Sequence, residues 1–262
     1  MKNFLREIVK IKKKEVDALK IKTPITHFVN AKRLLKGQRA FKDAISTNNR
    51  VNLIAEIKWK SPSKKKGFRK KHDASLLAGI YAQRGAKAIS IVTDHKFFGG
   101  KLEHIKEVRK YVNLPVLRKD FIIDEYQVYQ SRYAGADAIL LIARILSVEQ
   151  MKSFIHLANR IGMACVVEIH NEADLDKAIA SEAKIVGINN RDLDTFKVDL
   201  AATFKLAQRL PKGIVKISES GIKTNEDIKK LKKLGVNAVL IGESFLEAKD
   251  IGLKVQEIMG DK

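Results

Sequence analysis

One pattern occurs three times along the chain, as RGAKAI at 84–89, AGADAI at 134–139 and LGVNAV at 234–239. Successive glycines of these copies lie 50 and 100 residues apart, and a looser copy, SEAKIV, occupies 181–186. Glycine suits the left-handed turn that ends a helix, and the apolar run after it suits a strand covered on both faces. The pattern therefore predicts a repeated unit in which a helix leads into a buried strand.

Other apolar runs lie between these copies and bring the number of candidate strands to eight. Each run is followed by a helix-like stretch, and strands that alternate with helices form right-handed parallel crossovers. Eight such units over the region 51–262 predict an α/β fold, a (β/α)8 TIM barrel. The alternative, an open doubly wound sheet, is disfavoured because no G-x-G-x-x-G turn follows the first strand. The candidate strands are 53–58, 88–93, 115–121, 138–143, 164–169, 185–189, 215–219 and 238–242.

The first 50 residues do not fit this repeat. Residues 4–19 carry an apolar stripe at helical spacing, which predicts an amphipathic helix rather than a disordered basic arm. Residues 28–45 read as further helix or loop. We expect region 1–50 to be a helical extension packed on the barrel, so that 1–262 form a single domain.

The chain is strongly basic, with 51 Lys and Arg against 30 Asp and Glu, a net charge of +21. Such an excess raises the question of nucleic acid or membrane binding. The lysines are scattered, however, and of the denser clusters at 10–14 and 64–71 only the second contains an aromatic residue, the single Phe68. We therefore expect neither a nucleic acid nor a membrane partner, although the charge would attract an anionic metabolite.

The sequence indicates a cytoplasmic protein. It contains no run of about 18 uncharged apolar residues, and its first residues mix both charges without an apolar leader. Cys165 is the only cysteine, so no disulfide can form within one chain, and we expect it to be a core residue.

Charged residues stand at the carboxyl ends of strands that are otherwise apolar. Because strand side chains alternate, Glu56 and Lys58 should face the same side, and Leu117 pairs in the same way with Lys119, as Val166 does with Glu168. Active sites of this fold lie at that end of the barrel. The alternative is a set of structural ion pairs, but burying two lysines and three glutamates is unfavourable unless they pair well, so the set as a whole favours a site. The predicted set is Glu56, Lys58, Lys119, Glu168 and Glu219.

Two glycine turns suit a phosphate group, namely 219–221 after the seventh strand and 241–244 after the eighth. Backbone N–H groups at the start of a short helix bind a dianion, and this is the usual phosphate position of such barrels. A third turn, Ser61-Pro62-Ser63-Lys64, leads into basic residues that could form a lid or simply a solvated turn. The six histidines show no metal-ligand spacing, and we predict no metal.

Beyond these patterns, the chain resembles the indole-3-glycerol phosphate synthase family over essentially its whole length. The resemblance rests on motifs in family order: IAEIK at 54–58 with SPS at 61–63, TD at 93–94 with FFGG at 97–100, PVLRKDFI at 115–122, VEIH at 167–170, GINNRDL at 187–193, SESGI at 218–222 and LIGES at 240–244.

The resemblance implies closure of the pyrrole ring of 1-(2-carboxyphenylamino)-1-deoxyribulose 5-phosphate, with release of carbon dioxide and water, and without a cofactor. It implies that Lys119 acts as an acid towards the ketone and Glu168 as a base. Lys58 would lie near the phosphate and the departing hydroxyl. How the two lysines divide the acid roles is left open.

The resemblance also implies roles for the remaining motif residues. Glu56, Asn189 and Glu219 would orient the lysines or the sugar hydroxyls, and Ser61 would lie near the substrate carboxylate. An apolar wall would be formed by Phe98, Phe121 and Leu140, while Arg191 and Ser220 would also contact substrate. The phosphate group would be bound by Lys58, Gly221, Gly242, Glu243 and Ser244.

One departure from the family is that Lys65 and Lys66 precede Gly67, where the family has glycine directly after the lysine. This change bears on the geometry of the lid.

Two rival functions remain: a phosphoribosyl isomerase barrel, which would not need Lys119, and a basic nucleic-acid-binding protein. The expected partner is a small phosphorylated molecule, and the chain is expected to be a monomer, with a dimer as the alternative.

Overall fold

The computed structural model describes residues 3–30, 37–47, 50–62, 68, 73–192 and 195–260. Eight parallel strands close into a barrel in sequence order, each paired with its neighbours along the chain and the last paired with the first. The predicted TIM barrel is confirmed, and the open sheet is excluded by the β1–β8 pairing. The strands are β1 Asn52–Ile57, β2 Ala88–Val92, β3 Val116–Lys119, β4 Ala138–Ile142, β5 Ala164–Ile169, β6 Ile185–Asn189, β7 Val215–Glu219 and β8 Ala238–Ile241.

Within the described residues, helices follow every strand and three precede the first. All eight predicted strands are present, and β2, β3, β4 and β8 are one to three residues shorter than the apolar runs, because the last residues of those runs already belong to loops. The helices are α1 Asn3–Lys22, α2 Thr26–Val29, α3 Phe41–Ser46, α4 Ala74–Gln83, α5 Glu103–Tyr111, α6 Glu125–Ala134, α7 Val148–Arg160, α8 Glu172–Ala180, α9 Ala201–Ala207, α10 Asn225–Lys233, α11 Glu243–Leu246 and α12 Ile251–Met259.

The glycines of the repeated pattern act as predicted. Gly135 follows α6 with a φ of +101° and its N–H donates to the carbonyls that the helix leaves open. Gly85 and Gly235 also have positive φ values, +84° and +70°. A residue with a Cβ is strained in this region, so glycine allows the chain to turn from a helix directly into the next strand.

Two apolar layers hold the barrel together. One lies between the strands and the surrounding helices, and Cys165 belongs to it as a buried residue. The other fills the barrel interior, where Ile54, Leu117 and Val166 point inward. Glu56, Lys119 and Glu168 lie two residues further along the same strands and therefore face the same interior, nearer its carboxyl end.

Helix α1 packs against the barrel, and this confirms the helix predicted at 4–19. Its Leu5 and Ile8 belong to the interior apolar cluster, together with Phe41 and Ile45 of α3. At the other end of α1, the Tyr126 hydroxyl donates to the carbonyl of Thr23 at 3.0 Å. Among the described residues, no helix is long and apolar enough to cross a membrane.

Gly100 ends the loop after β2, and the barrel leaves no space for a side chain there. An ideal Cβ at this position would lie 1.9 Å from the carbonyl oxygen of Val92. We expect Gly100→Ala to lower the free energy of unfolding by about 3 kcal/mol, because backbone rather than a flexible side chain must shift. Urea denaturation measures this. The control is Gly213→Asn, at a position with a φ of +88° and open space, which should change stability by less than about 1 kcal/mol. Equal effects would contradict the prediction.

Candidate active site

A cleft opens at the carboxyl ends of the strands. This is the position at which barrels of this kind bind small molecules. Every site residue predicted from the sequence lines it: Glu56, Lys58, Ser61, Phe98, Lys119, Phe121, Leu140, Glu168, Asn189, Arg191, Glu219, Ser220, Gly221, Gly242, Glu243 and Ser244. The structure thus brings together residues that lie up to 188 positions apart between Glu56 and Ser244 in the sequence.

Lys119 lies at the centre of the charged floor of the cleft. Its Nζ is 2.8 Å from Glu168 Oε2 and 3.1 Å from Glu219 Oε2, so that β3, β5 and β7 meet at one ammonium group. A second pair lies beside it, with Lys58 Nζ 2.5 Å from Glu56 Oε1. The three carboxylates are almost fully buried, whereas 17% of the Lys119 side chain and 13% of that of Lys58 remain exposed. Both ammonium groups can therefore be reached from the cleft.

The two carboxylates on Lys119 differ in their electrostatic surroundings. Burial raises the pKa of Glu219 to about 7, against the pull of Lys119 and with the help of the Glu168 charge. Glu168 is equally buried, but Lys119 and His170 together hold its pKa below the usual range. Despite its burial, Lys119 has a pKa above the usual value because Glu168 and Glu219 favour its charge. Two carboxyl groups with opposite shifts around one lysine are typical of acid–base sites.

Glu219 fits because Gly187, two residues before the β6 partner of Glu219, carries no side chain. Asn189 and Glu219 are paired across β6 and β7, and a Cβ at Gly187 would lie 2.1 Å from Glu219 Oε1. That oxygen is buried and has no hydrogen-bond partner among the described residues. A buried acceptor without a partner is costly, so this oxygen is suited to a ligand hydroxyl.

Glu168 is oriented from two further sides. The Asn189 side chain hydrogen-bonds to it and lowers its pKa, and the Oδ1 of Asn189 accepts the N–H of Arg191 at 3.0 Å. His170 Nε2 lies 3.4 Å from Glu168 Oε1, and Nδ1 of the same ring lies 3.6 Å from Asp174 Oδ2. The sequence analysis gave His170 no role beyond its place in the VEIH motif, whereas the structure places it against the carboxylate.

The opposite side of the cleft is apolar. Phe98 and Phe121 are tilted towards each other with ring centroids 6.3 Å apart, and Leu140 lies on the cleft wall. Helix α1 completes this wall, because Phe4 contacts both Phe97 at 5.5 Å and Phe196 at 5.3 Å. The sequence analysis missed this contribution of α1. The only signal was its apolar stripe, which indicated packing but not what the helix covers.

The two glycine turns predicted for phosphate lie side by side at one edge of the cleft. Ser220 and Gly221 both adopt left-handed backbone, with φ values of +66° and +82°. After β8, Gly242 begins the short helix α11, and the Ser244 hydroxyl donates to the carbonyl of Ile222 at 2.8 Å. This bond joins the two turns. Glu243 is paired with Arg191 at 2.8 Å, so only its backbone N–H faces an anion favourably.

Two further sequence expectations concern the lid after β1 and metal binding. Ser61 lines the cleft beside Pro62, but Ser63 to Gly67 and the basic residues up to His72, apart from Phe68, lie outside the described residues. The lid and the altered Lys65–Lys66 loop belong to that stretch. Within the described residues, no group of three or more His, Cys, Asp or Glu side chains is arranged to hold a metal ion.

The raised pKa of Glu219 predicts a pH-dependent stability. Between about pH 4.5, where a free glutamate ionises, and about pH 7, the folded state holds a proton that the unfolded state has lost. The stability contribution of Glu219 is therefore present below this window and lost as the pH rises through it. Glu219→Gln cannot ionise, so its free energy of unfolding should improve relative to the natural chain by roughly 1 to 3 kcal/mol between pH 4.5 and 8. Denaturant titrations measure this. The exposed Glu226→Gln should show no such gain, and parallel pH curves for Glu219→Gln would refute the assignment.

Comparison with known proteins places the chain in a family. The family model for indole-3-glycerol phosphate synthase matches residues 5–258. Curated relatives described as indole-3-glycerol phosphate synthase include that of Acetivibrio thermocellus, 50% identical over 83% of each chain, and that of Desulforamulus reducens, 44% identical over 98% of this chain and 97% of its own. A solved structure of the tryptophan synthase a2b2 complex from Pyrococcus furiosus shares the fold, with a TM-score of 0.59 and 16% identity, covering 80% of this chain and 98% of that one. The chain belongs to the indole-3-glycerol phosphate synthase family.

Proposed function

We propose that this enzyme converts 1-(2-carboxyphenylamino)-1-deoxyribulose 5-phosphate into indole-3-glycerol phosphate, carbon dioxide and water, as a carboxy-lyase of tryptophan biosynthesis. The observation that carries the proposal is the Lys119 ammonium held between Glu168 and Glu219 at the base of the cleft. An apolar wall lies on one side of this ammonium and a phosphate-sized edge on another. The substrate has the matching parts: an aromatic ring, a ketone and a phosphate group.

Ring closure requires an acid at the ketone. When the aryl carbon bearing the carboxylate forms a bond to the carbonyl carbon, negative charge develops on the carbonyl oxygen, and the Lys119 ammonium stabilises or protonates it. The bond to the carboxylate then breaks, its electron pair restores the aromatic ring, and carbon dioxide leaves. Lys119 is suited to this step because it is charged and lines the cleft, with 17% of its side chain exposed.

Dehydration requires an acid and a base. The new hydroxyl group leaves as water after protonation from a lysine, while Glu168 takes a proton from the ring CH2 carbon next to the nitrogen, and the electron pair of that C–H bond forms the second ring double bond. The lowered pKa of Glu168 keeps it ionised and able to accept that proton. Since Glu168 and Lys119 are 2.8 Å apart, the proton can return directly to the lysine, and solvent supplies the one further proton that the loss of carbon dioxide consumes. The sequence balances without a redox cofactor.

The substrate would lie across the cleft with its ends in different surroundings. Its phosphate would bind at the turns around Gly221 and Gly242 to Ser244, near Lys58, with Ser220 and Arg191 beside them. Its aromatic ring would lie against Phe98, Phe121 and Leu140, and its carboxylate near Ser61. Glu56, Asn189 and Glu219 would hold the lysines and the sugar hydroxyls.

We further propose that the chain acts in the cytoplasm as a monomer folded as one domain, without a nucleic acid or membrane partner. The scattered lysines support the absence of a nucleic acid site, since a binding groove would concentrate them on one face. The packing of α1 into the interior cluster supports one folding unit.

Replacing Lys119 should abolish the acid step. We expect Lys119→Ala to lower kcat by at least ~100-fold, the usual contribution of a general acid, with a smaller effect on KM. Turnover is followed by indole fluorescence with the deoxyribulose phosphate substrate. The control is Lys205→Ala, which removes an exposed lysine from α9 and should leave kcat unchanged. Near-equal kcat values for both variants would show that Lys119 is not the acid of the reaction.

The phosphate edge can be tested without turnover. Inorganic phosphate should inhibit competitively, because it occupies the turns that bind the substrate phosphate. Gly221→Ala should raise its inhibition constant by about tenfold, the cost of losing one charge-assisted hydrogen bond. The reason is that a Cβ there lies 2.5 Å from Val198 Cγ1 at a φ of +82°, so the turn must change. The control is Gly213→Ala, which shares the positive φ but lies far from the cleft. Noncompetitive inhibition, or equal inhibition constants in both variants, would show that the phosphate does not bind at these turns.

A further inference from the structure

Lys12 is a buried lysine of helix α1, outside the residues assigned to the reaction. It follows Leu5 and Ile8 on one face of the helix, at the spacing of successive turns. Leu5 and Ile8 line the cleft, and Lys12 is 5% exposed. The neighbouring Lys13 on the same helix is exposed, which is the ordinary situation of a lysine.

The ammonium group of Lys12 joins α1 to the ends of two strands. Its Nζ lies 3.0 Å from Asp94 Oδ2 after β2 and 3.2 Å from Asp120 Oδ1 after β3, with Glu15 of its own helix at 2.8 Å. Although burial opposes its charge, Asp120 and Asp94 raise the pKa of Lys12 above its usual value. The helix is therefore anchored to the barrel mouth by charge as well as by apolar packing.

The two aspartates depend on Lys12 to different degrees. Asp120 has other partners, since Arg118 Nη2 lies 2.9 Å away, the Thr93 hydroxyl donates at 2.6 Å, and the N–H of Phe121 donates at 2.8 Å. Asp94 is 1% exposed, and within the described part of the chain Lys12 is the one cation at salt-bridge distance. Removing Lys12 thus leaves the Asp94 charge uncompensated, while β3 and Lys119 keep their support.

Asp94 shapes the loop that carries the aromatic wall. Its Oδ1 accepts the N–H of Phe97 at 2.8 Å, and its carbonyl accepts the N–H of Gly100 at 2.9 Å. Phe97 in turn contacts Phe4 of α1, and Phe98 lies beside Phe121 on the apolar wall of the cleft. The buried ion pair between Lys12 and Asp94 therefore contacts both parts of the apolar wall, helix α1 and the 93–100 loop.

We propose that Lys12 is a positioning residue of the reaction, which by neutralising Asp94 holds helix α1 and the 93–100 loop together as one wall for the aromatic end of the substrate. This inference rests on the proposed function. It assigns Lys12 to substrate binding through the wall and not to the chemistry at Lys119. The wall is in contact with the ring before and after ring closure, so its loss weakens ground state and transition state alike, which raises KM more than it lowers kcat.

The first test compares Lys12→Met with Lys13→Met, the same substitution at the exposed neighbouring position. We expect KM for the deoxyribulose phosphate substrate to rise about tenfold in Lys12→Met, with kcat within about threefold of the natural chain, as for a modest coupling through packed groups. Lys13→Met should change neither. A KM unchanged in Lys12→Met, or a loss confined to kcat, would overturn the proposal.

The second test separates charge from packing. In the double variant Lys12→Met with Asp94→Asn, no uncompensated carboxylate remains, so KM should return to within about threefold of the natural value. This variant is also expected to fold if the single Lys12→Met variant does not. A double variant no better than the single one would show that charge neutralisation is not the cause.

The third test does not depend on turnover. Hydrogen–deuterium exchange of the ligand-free Lys12→Met chain should rise together in 3–22 and in 93–101, and remain unchanged in both for Lys13→Met. A rise in α1 alone would refute the coupling. If the natural chain turned over no substrate, the proposed function would fail, whereas the exchange result would still decide whether Lys12 couples the helix to the loop.

Discussion

The Lys119 ammonium group, bound by Glu168 at 2.8 Å and Glu219 at 3.1 Å, is the interaction on which the rest of the site depends. Removing these groups from water costs several kcal/mol for each ion, and the cost is offset only when all of them meet with good geometry. Such geometry requires β3, β5 and β7 to hold a fixed register across the barrel. The closed strand order meets this requirement, because it turns alternate strands towards one point at the carboxyl end.

Backbone that carries no side chain makes room for this charged floor. A Cβ at Gly187 would lie 2.1 Å from Glu219 Oε1, and one at Gly242 would lie 2.8 Å from Glu56 Oε1. Both glycines stand on strands or at their ends, where glycine otherwise weakens a sheet. Glycine is needed at both positions, although it weakens the sheet, because the neighbouring carboxylates approach the backbone closely. The same crowding buries Glu219 and separates its pKa from that of Glu168.

Sequence alone predicts the barrel and the charged floor because both follow from local periodicity. The alternation that turns Ile54 inward also turns Glu56 and Lys58 inward, and the structure places them within 2.5 Å of each other. The contribution of α1 follows no local rule. The sequence does not distinguish Lys12 from Lys13 and Lys14, which follow it directly. Lys12 is buried because it contacts Asp94 and Asp120, which lie more than 80 residues away in the sequence. The contact of the Phe196 ring with Phe4, 5.3 Å between centroids, likewise joins residues far apart in the sequence.

The raised pKa of Lys119 bears on how it acts in the proposed reaction. A lysine stabilised by two carboxylates is a weak acid, and a weak acid transfers its proton fully only to a strong base. Its first effect on the developing alkoxide is therefore that of a fixed positive charge and hydrogen-bond donor, which costs no reorganisation. Because burial raises the pKa of Glu219 to about 7, this carboxyl group gains and loses its proton near neutral pH, and its protonated form reduces the negative charge that the anionic substrate meets. Glu56 and Glu168, whose pKa values are lowered, remain ionised beside the two lysines and hold them in place.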